Sequence, residues 1–203
     1  EYPENISLID GAIIRNQYQI NDKYVIGVSS WFHKERKGFD ILFEAFAKLE
    51  QEFALLIIGI PTEKQQDVID YAATFGISSD RVILPGFVDN IYEYYKSMDV
   101  FVLPSRSEGF SLALLEAAAA GIPIIASNIP GNNEFVIHEQ NGLLFDVKNP
   151  QELIESIKTF FNDKTLAHKL GKKASEDAME NYNLKKYGLR LTELLNEAYT
   201  MTN

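Results

Sequence analysis

The chain has 203 residues, no cysteine and a formal net charge of −10. The absence of cysteine excludes a disulfide framework and a thiolate metal site, and it fits a reducing compartment such as the cytoplasm. The acidic charge argues against a nucleic-acid partner, which would need a basic surface, and no apolar run reaches the roughly 18 residues that a membrane-spanning helix needs.

In chain order, residues 1–22 have no clear pattern, and short extended pieces are predicted at 6–9 and 12–14. From residue 24 onward, apolar runs typical of buried strands alternate with amphipathic segments typical of helices. The predicted strands are 24–29, 54–58, 81–84, 100–103, 122–126 and 143–145. The predicted helices are 39–49, 63–75, 90–96, 111–120, a short one from about 132, 150–162, 165–180 and 184–200.

This alternation predicts a single domain over residues 1–203 with a doubly wound, Rossmann-like α/β fold, in which helices cover both faces of a parallel sheet. Ligands of such folds bind at the carboxyl ends of the strands. The loops predicted to lie at that edge are 29–38, 59–62, 85–89, 104–111 and 127–133.

Two glutamates stand out in the segment 104–134. Glu108 precedes the predicted helix 111–120 and Glu116 lies inside it, with seven residues between them. Glu116 is the only charged residue from 109 to 133. Because a buried charge is costly without a partner, we expect a partner from outside the segment, and a hydroxyl-rich ligand is a candidate.

The turn into this helix predicts an anion site. Gly109 allows close approach of the backbone to a ligand, and the free N–H groups of a helix start attract anions. A phosphate would rest on the backbone of Ser111, Leu112 and Ala113. Glu116 would then accept hydrogen bonds from a ribose, and Glu108 would meet the group on the other side of the phosphates. The alternative is a capped helix with two incidental glutamates.

Two more loops are candidates at the same edge. Lys37 ends the basic run 33–37 and can reach phosphates as a point charge, although a lysine in a polar loop can also be merely solvated. The turn 130–134 is either a further hydrogen-bonding edge or an Asn-capped helix start. The three histidines have no metal-ligand spacing, and no dinucleotide fingerprint, P-loop or hydrolase elbow is present.

The segment 100–142 resembles the donor-binding, C-terminal half of the family 4 retaining glycosyltransferases, which have the GT-B fold and belong to the glycosyl transferases group 1. The matching pieces are 100–105, 108–110, 116–117, 121–123, Gly131 with Glu134, and 141–143. Lys37-Gly38 and the following helix resemble the family's lysine-glycine loop, and 82–88 resembles the strand before its base pocket. The resemblance extends over roughly 24–200.

The resemblance implies a role for each matched residue. Lys37 and the N–H groups of the helix start would bind the donor diphosphate. Glu116 would bind the ribose, and backbone near Val88 would meet the base. Glu108 would be the catalytic residue, contacting the donor sugar and stabilising charge as the glycosidic bond breaks. The remaining donor contacts would come from Gly109, Phe110, Ser111, Leu112 and Ala113.

The implied reaction is transfer of a sugar, with retention, from a UDP-, GDP- or ADP-sugar to a glycan, a lipid-linked acceptor or a cell-surface polysaccharide, with no metal or other cofactor. The implied partner is an acceptor-binding domain of the same full-length protein, which precedes this half. The helix 184–200 would lie near this acceptor-binding domain. Any peripheral membrane association of the full-length protein would come through that domain. We expect the isolated domain to bind nucleotide but to transfer little or no sugar.

One departure leaves alternatives open. The family often has a Gly-Arg pair after the first strand, whose arginine assists the diphosphate, whereas this chain has Ser29-Ser30-Trp31. Lys34 or Arg36 would have to substitute. A GT-B sugar-nucleotide epimerase or hydrolase is one alternative, against which the glutamate pair and the lysine-glycine loop argue. A non-catalytic nucleotide-binding partner domain is another, which the missing arginine favours.

Overall fold

The computed structural model describes residues 2–3 and 5–183, with the single positions 186, 188, 192, 193, 195 and 199. Eleven of the seventeen positions of the predicted helix 184–200 therefore lie outside the described residues. Within them, one parallel sheet has the strand order β3-β2-β1-β4-β5-β6. The strands are β1 (Tyr24–Ser29), β2 (Phe53–Ile58), β3 (Val82–Gly86), β4 (Val100–Leu103), β5 (Ile124–Ser127) and β6 (Leu143–Phe145).

Helices cover both faces of this sheet, which confirms the doubly wound, Rossmann-like prediction. The α-helices are α1 (Ala12–Gln17), α2 (Phe39–Phe46), α3 (Thr62–Ala73), α4 (Ile91–Ser97), α5 (Leu112–Ala119), α6 (Pro150–Asn162) and α7 (Lys164–Asn181). Two short 3-10 helices cover Ile6–Leu8 and Ser79–Arg81. From β1 to α7, the predicted elements other than the short helix near 132 differ from the observed ones only at their ends.

The strands are buried on both faces, which is why they appear in the sequence as continuous apolar runs. Alternate side chains of β2 enter opposite cores. Phe53, Leu55 and Ile57 pack with α2, α3 and α6 on one face. Ala54, Leu56 and Ile58 pack with α4, α5 and the second half of α7 on the other.

The extended pieces predicted at 6–9 and 12–14 are wrong, because these residues form a 3-10 helix and α1. The contacts of α1 explain the difference. Arg15, in its last turn, lies 2.6 Å from the Asp99 carboxylate and donates to the Lys23 carbonyl. The contact with Asp99 spans 84 positions of sequence, so the local pattern gives no sign of it.

The short helix predicted from about 132 is also wrong, because residues 130–135 form successive turns. The Asn132 side chain is fully buried and donates to the carbonyl and the hydroxyl of Ser127. It therefore fastens the turn to the end of β5 and does not cap a helix.

The strand order reverses between β1 and β4, since β1 leads outward to β2 and β4 leads outward to β5 in the other direction. This is the topological switch point, where doubly wound folds form a crevice beyond the carboxyl ends of the strands. The loops that follow β1 and β4 are neighbours there, and they contain Lys37 and Glu108.

Candidate functional site at the switch point

Lys37 and Glu108 meet at this crevice. The Lys37 Nζ lies 2.8 Å from the Glu108 Oε1, and the two side chains are only 14% and 9% exposed. Two residues that are far apart in sequence are thus brought into one ion pair at the carboxyl edge of the sheet. The pair is a ready source of one cation and one carboxylate for a ligand.

Two glycines allow the loops around this pair to approach closely. Gly38 has a φ of 68°, and a β-carbon there would lie 2.0 Å from the Pro104 carbonyl oxygen. Gly131 has a φ of 90°, and a β-carbon there would lie 2.6 Å from the Gly109 carbonyl oxygen. Both positions combine left-handed backbone with backbone contact, so side chains are excluded on two grounds.

Arg106 ties the same two loops together. Its guanidinium donates to both carboxylate oxygens of Asp40, at 2.7 and 2.6 Å, and to the Glu35 carbonyl oxygen at 2.8 Å. Its backbone N–H donates to the Arg36 carbonyl oxygen at 2.9 Å. Because bidentate pairing fixes geometry as well as charge, these bonds hold the loop that contains Lys37 and the loop that contains Glu108 in a fixed relative position.

The start of α5 presents free backbone donors. The Ser111 hydroxyl accepts from the Leu114 N–H at 3.3 Å, so Ser111 is the N-cap and the helix begins one residue later than predicted. In the described part of the chain, the N–H groups of Leu112 and Ala113 make no hydrogen bond. Leu112 is 71% exposed. The first turn of α5 therefore leaves two backbone donors open to a ligand.

Glu116 lies one turn further along α5 and is half-buried. Its Oε2 accepts a hydrogen bond of 3.0 Å from the Tyr95 hydroxyl of α4. The side chain of Ser29, at the end of β1, also interacts with that hydroxyl. The expectation of a partner from outside the segment is thus met in part by the protein itself.

Three tyrosines lie close enough to the Glu116 carboxylate to feel its charge. Burial, followed by the nearby Glu116 charge, raises the pKa of the fully buried Tyr95 hydroxyl, so it stays a neutral donor. The same two causes raise the pKa of Tyr92 to about 12, and they also raise the pKa of Tyr2. Among the described residues, Glu116 therefore has no ion-pair partner, and the hydroxyl group that it contacts is neutral.

Phe110 and Val88 lie at the margins of the site. The Phe110 ring stacks on Tyr182 with centroids 5.6 Å apart. The Tyr182 hydroxyl donates to the Glu134 carbonyl oxygen at 3.2 Å. Tyr182 therefore links the loop before α5 to the turns at 130–135. Val88 is half-buried beyond the end of β3, against the core that contains α4 and α5.

Of the two candidates for the missing arginine, Lys34 is occupied. Its Nζ lies 4.2 Å from the centre of the Tyr71 ring of α3, a cation–π contact. Arg36 is exposed, and among the described residues its guanidinium has no ion-pair partner. Its backbone is fixed by the bonds to Arg106 and to the His33 ring.

Sequence reasoning missed Tyr95, Arg106 and Asp40. Each acts through a contact between elements that are 21 to 71 positions apart, and their local patterns are those of ordinary helix and loop residues.

Within the described residues, no three His, Asp or Glu side chains are grouped as metal ligands. Each helix in that part of the chain is too short or too polar to cross a membrane.

Comparison with known proteins identifies the family. The profile of the family described as glycosyl transferases group 1 matches residues 10–177. The O-antigen biosynthesis glycosyltransferase WclY of Escherichia coli is 35% identical over 143 residues, which are 70% of this chain and 39% of WclY. This chain therefore spans less than half the length of that relative.

Two solved structures have the same fold. Anabaena Alr3699/HepE in complex with UDP-glucose has a TM-score of 0.84 and 24% identity, covering 95% of this chain and 55% of that one. Sucrose-phosphate synthase from Thermosynechococcus elongatus has a TM-score of 0.81 and 26% identity, covering 98% and 52%. The sheet order, the switch-point crevice and the matched profile agree, and the chain belongs to the glycosyl transferases group 1 family.

Proposed function

We propose that this chain is the donor-binding part of a retaining glycosyltransferase that takes its sugar from a nucleoside diphosphate sugar. The observation that supports this most is the Lys37–Glu108 ion pair beside the free N–H groups of α5. One crevice thus offers a cation and backbone donors for a diphosphate, with two carboxylates for hydroxyl groups. In support of a sugar nucleotide, the HepE structure was determined with UDP-glucose.

Each group has one task in this proposal. Lys37 and the N–H groups of Leu112 and Ala113 bind the diphosphate and stabilise the negative charge that develops on it as the glycosidic bond breaks. Glu116 accepts hydrogen bonds from the ribose. Glu108 contacts the sugar, where a carboxylate stabilises the positive charge of an oxocarbenium-like transition state. No metal is required, because the cation and the helix start supply the compensating charge.

Arg36 is the cation that we propose for the role of the missing family arginine. It lies next to Lys37 on a backbone that Arg106 holds in place, and its guanidinium is not committed to another group in the described structure. Lys34 is the weaker candidate, because it would have to leave the Tyr71 ring.

The acceptor site belongs, in this proposal, to a separate domain of the full-length protein. WclY is named for O-antigen biosynthesis, which supports a glycan acceptor. A lipid-linked acceptor and a cytoplasmic site of action are further parts of the proposal. The isolated chain is expected to bind the donor without transferring its sugar.

A calorimetric screen of the chain against UDP, GDP, ADP and their glucose conjugates tests this function. We expect one nucleoside diphosphate to bind with a Kd below about 1 mM, which corresponds to roughly −4 kcal/mol. Absence of binding by all six at millimolar concentration would support the non-catalytic partner domain. Release of free sugar or of an epimer by the full-length protein would support the hydrolase or epimerase.

An Arg106→Gln variant is expected to weaken UDP binding about 3- to 10-fold, because the loops that carry Lys37 and Glu108 lose their bidentate tie. Both side chains of the pair are about one-third exposed, so the free energy of unfolding should fall by no more than about 1 kcal/mol. Calorimetry and thermal melting measure the two effects.

Lys48→Gln is the matched control, since it removes an exposed ion pair with Glu44, which lies in the same helix α2 as Asp40. Its UDP affinity should equal that of the unaltered chain. A loss of stability in Arg106→Gln with no change in UDP affinity would show that the tie is only structural.

A further inference from the structure

We propose that Glu108 competes with the donor diphosphate for Lys37, so that the site favours a complete sugar nucleotide over the free nucleoside diphosphate. This inference rests on the proposed function. It concerns how the same two residues respond to the two halves of the donor.

The cation and the carboxylate satisfy each other at 2.8 Å. Because both side chains are largely withdrawn from water, with exposures of 14% and 9%, their attraction is weakly screened. A diphosphate that recruits Lys37 must therefore break or share this bond. The free energy needed to break this bond offsets part of the attraction between the diphosphate and the ammonium group.

The exchange destabilises the Glu108 carboxylate. A buried charge that loses its only ion-pair partner is destabilised, and the incoming diphosphate adds a second negative charge nearby. Among the described residues, Lys37 is the only group that donates to the Glu108 carboxylate. A nucleoside diphosphate without sugar leaves Glu108 without a donor.

A sugar removes this penalty. Its hydroxyl groups donate to a carboxylate, and charge-assisted hydrogen bonds of this kind are strong. With a complete donor, Lys37 is satisfied by the phosphates and Glu108 by the sugar, whereas with a free diphosphate only one of them is satisfied. Once the sugar has been transferred, the remaining nucleoside diphosphate is held less tightly and leaves more readily.

The surrounding contacts restrict this exchange to side chains. Gly38 packs against the Pro104 carbonyl and Gly131 against the Gly109 carbonyl, and Arg106 bonds to the backbone at 35 and 36. The two loops are thus fastened on both sides of the ion pair. The pair opens by a change of the Lys37 and Glu108 side chains and not by separation of the loops.

Glu108→Gln tests the proposal, with UDP, UDP-glucose and uridine as ligands in calorimetric titrations. The amide keeps the shape of the side chain but frees the Lys37 ammonium group. We expect UDP to bind at least about threefold more tightly, as expected when a competing charged hydrogen bond is removed. Uridine affinity should not change, and the preference for UDP-glucose over UDP should fall.

Glu35→Gln is the control for general electrostatics, because it removes one exposed negative charge from the loop of Lys37 without touching the ion pair. The Lys37→Met/Glu108→Gln double variant should lose the gain in UDP affinity, since the two effects are coupled. Thermal melting checks folding, and Glu108→Ala, which also removes the competing carboxylate, replaces Glu108→Gln if the amide folds poorly.

Unchanged or weaker UDP binding by Glu108→Gln, or an equal gain in Glu35→Gln, would overturn the competition. The failure of the proposed function is a different result. In that case Lys37→Met on its own leaves UDP affinity unchanged, whatever Glu108→Gln does.

Discussion

A Glu116→Gln variant is expected to bind UDP about 10- to 100-fold more weakly than the unaltered chain, because a carboxylate that accepts from ribose hydroxyls makes bonds of about 1.5–3 kcal/mol. Uridine should lose affinity by the same factor, since it has the same ribose. Calorimetric titration with both ligands measures the effect. Unchanged affinity for either ligand would contradict the ribose role.

Tyr95→Phe is the matched control for Glu116→Gln. The glutamine retains an oxygen that accepts from the Tyr95 hydroxyl, so the fully buried tyrosine keeps its partner and the fold is preserved. The phenylalanine removes the same hydrogen bond but leaves the carboxylate in place. UDP affinity should therefore change less than about threefold in Tyr95→Phe, in keeping with the loss of one neutral hydrogen bond.

A Lys37→Met variant is expected to weaken UDP binding by more than about 30-fold while leaving uridine affinity unchanged. Two effects add here: the diphosphate loses a charge-assisted partner, and the unpaired Glu108 carboxylate then repels it. Parallel titrations with UDP and uridine separate phosphate recognition from nucleoside recognition.

Lys34→Met serves as its control, because Lys34 lies in the same loop but is turned to the Tyr71 ring. It should bind UDP within about threefold of the unaltered chain, as a distant and screened charge would allow. Equal losses for UDP and uridine in Lys37→Met would refute the phosphate role of Lys37.

The sheet could be predicted from the sequence because its strands are buried on both faces. A strand whose two faces both contact helices consists of apolar residues throughout, as in 53–58, and such a short apolar run predicts a buried strand. The segment 6–17 could not be predicted, since α1 depends on the pairing of Arg15 with Asp99 across 84 positions. The turns at 130–135 depend in the same way on the burial of Asn132.

The site was predictable only to the extent that topology determines it. Parallel strands with helical crossovers place the loops of Lys37 and Glu108 at one edge, and the switch point makes those loops neighbours. The direct ion pair between the two residues needs side-chain positions. So does the hydroxyl that Tyr95 offers to Glu116 from a helix whose sequence resembles an ordinary aromatic surface.

Glu116 shows how a correct question can have a partly different answer. The physical reasoning that a lone half-buried carboxylate needs a donor is sound. The structure supplies one donor, Tyr95, which accounts for one of its two oxygens. In the described structure, the other oxygen has no hydrogen bond, and it is the atom that we assign to the ribose.

A structure of the chain bound to UDP tests the central claim most directly. We predict a ribose hydroxyl within about 3 Å of the Glu116 carboxylate and a phosphate oxygen within about 3 Å of the Lys37 Nζ, with the 2.8 Å Lys37–Glu108 bond opened. UDP bound away from the β1–β4 crevice, or seated there with neither residue in contact, would contradict it.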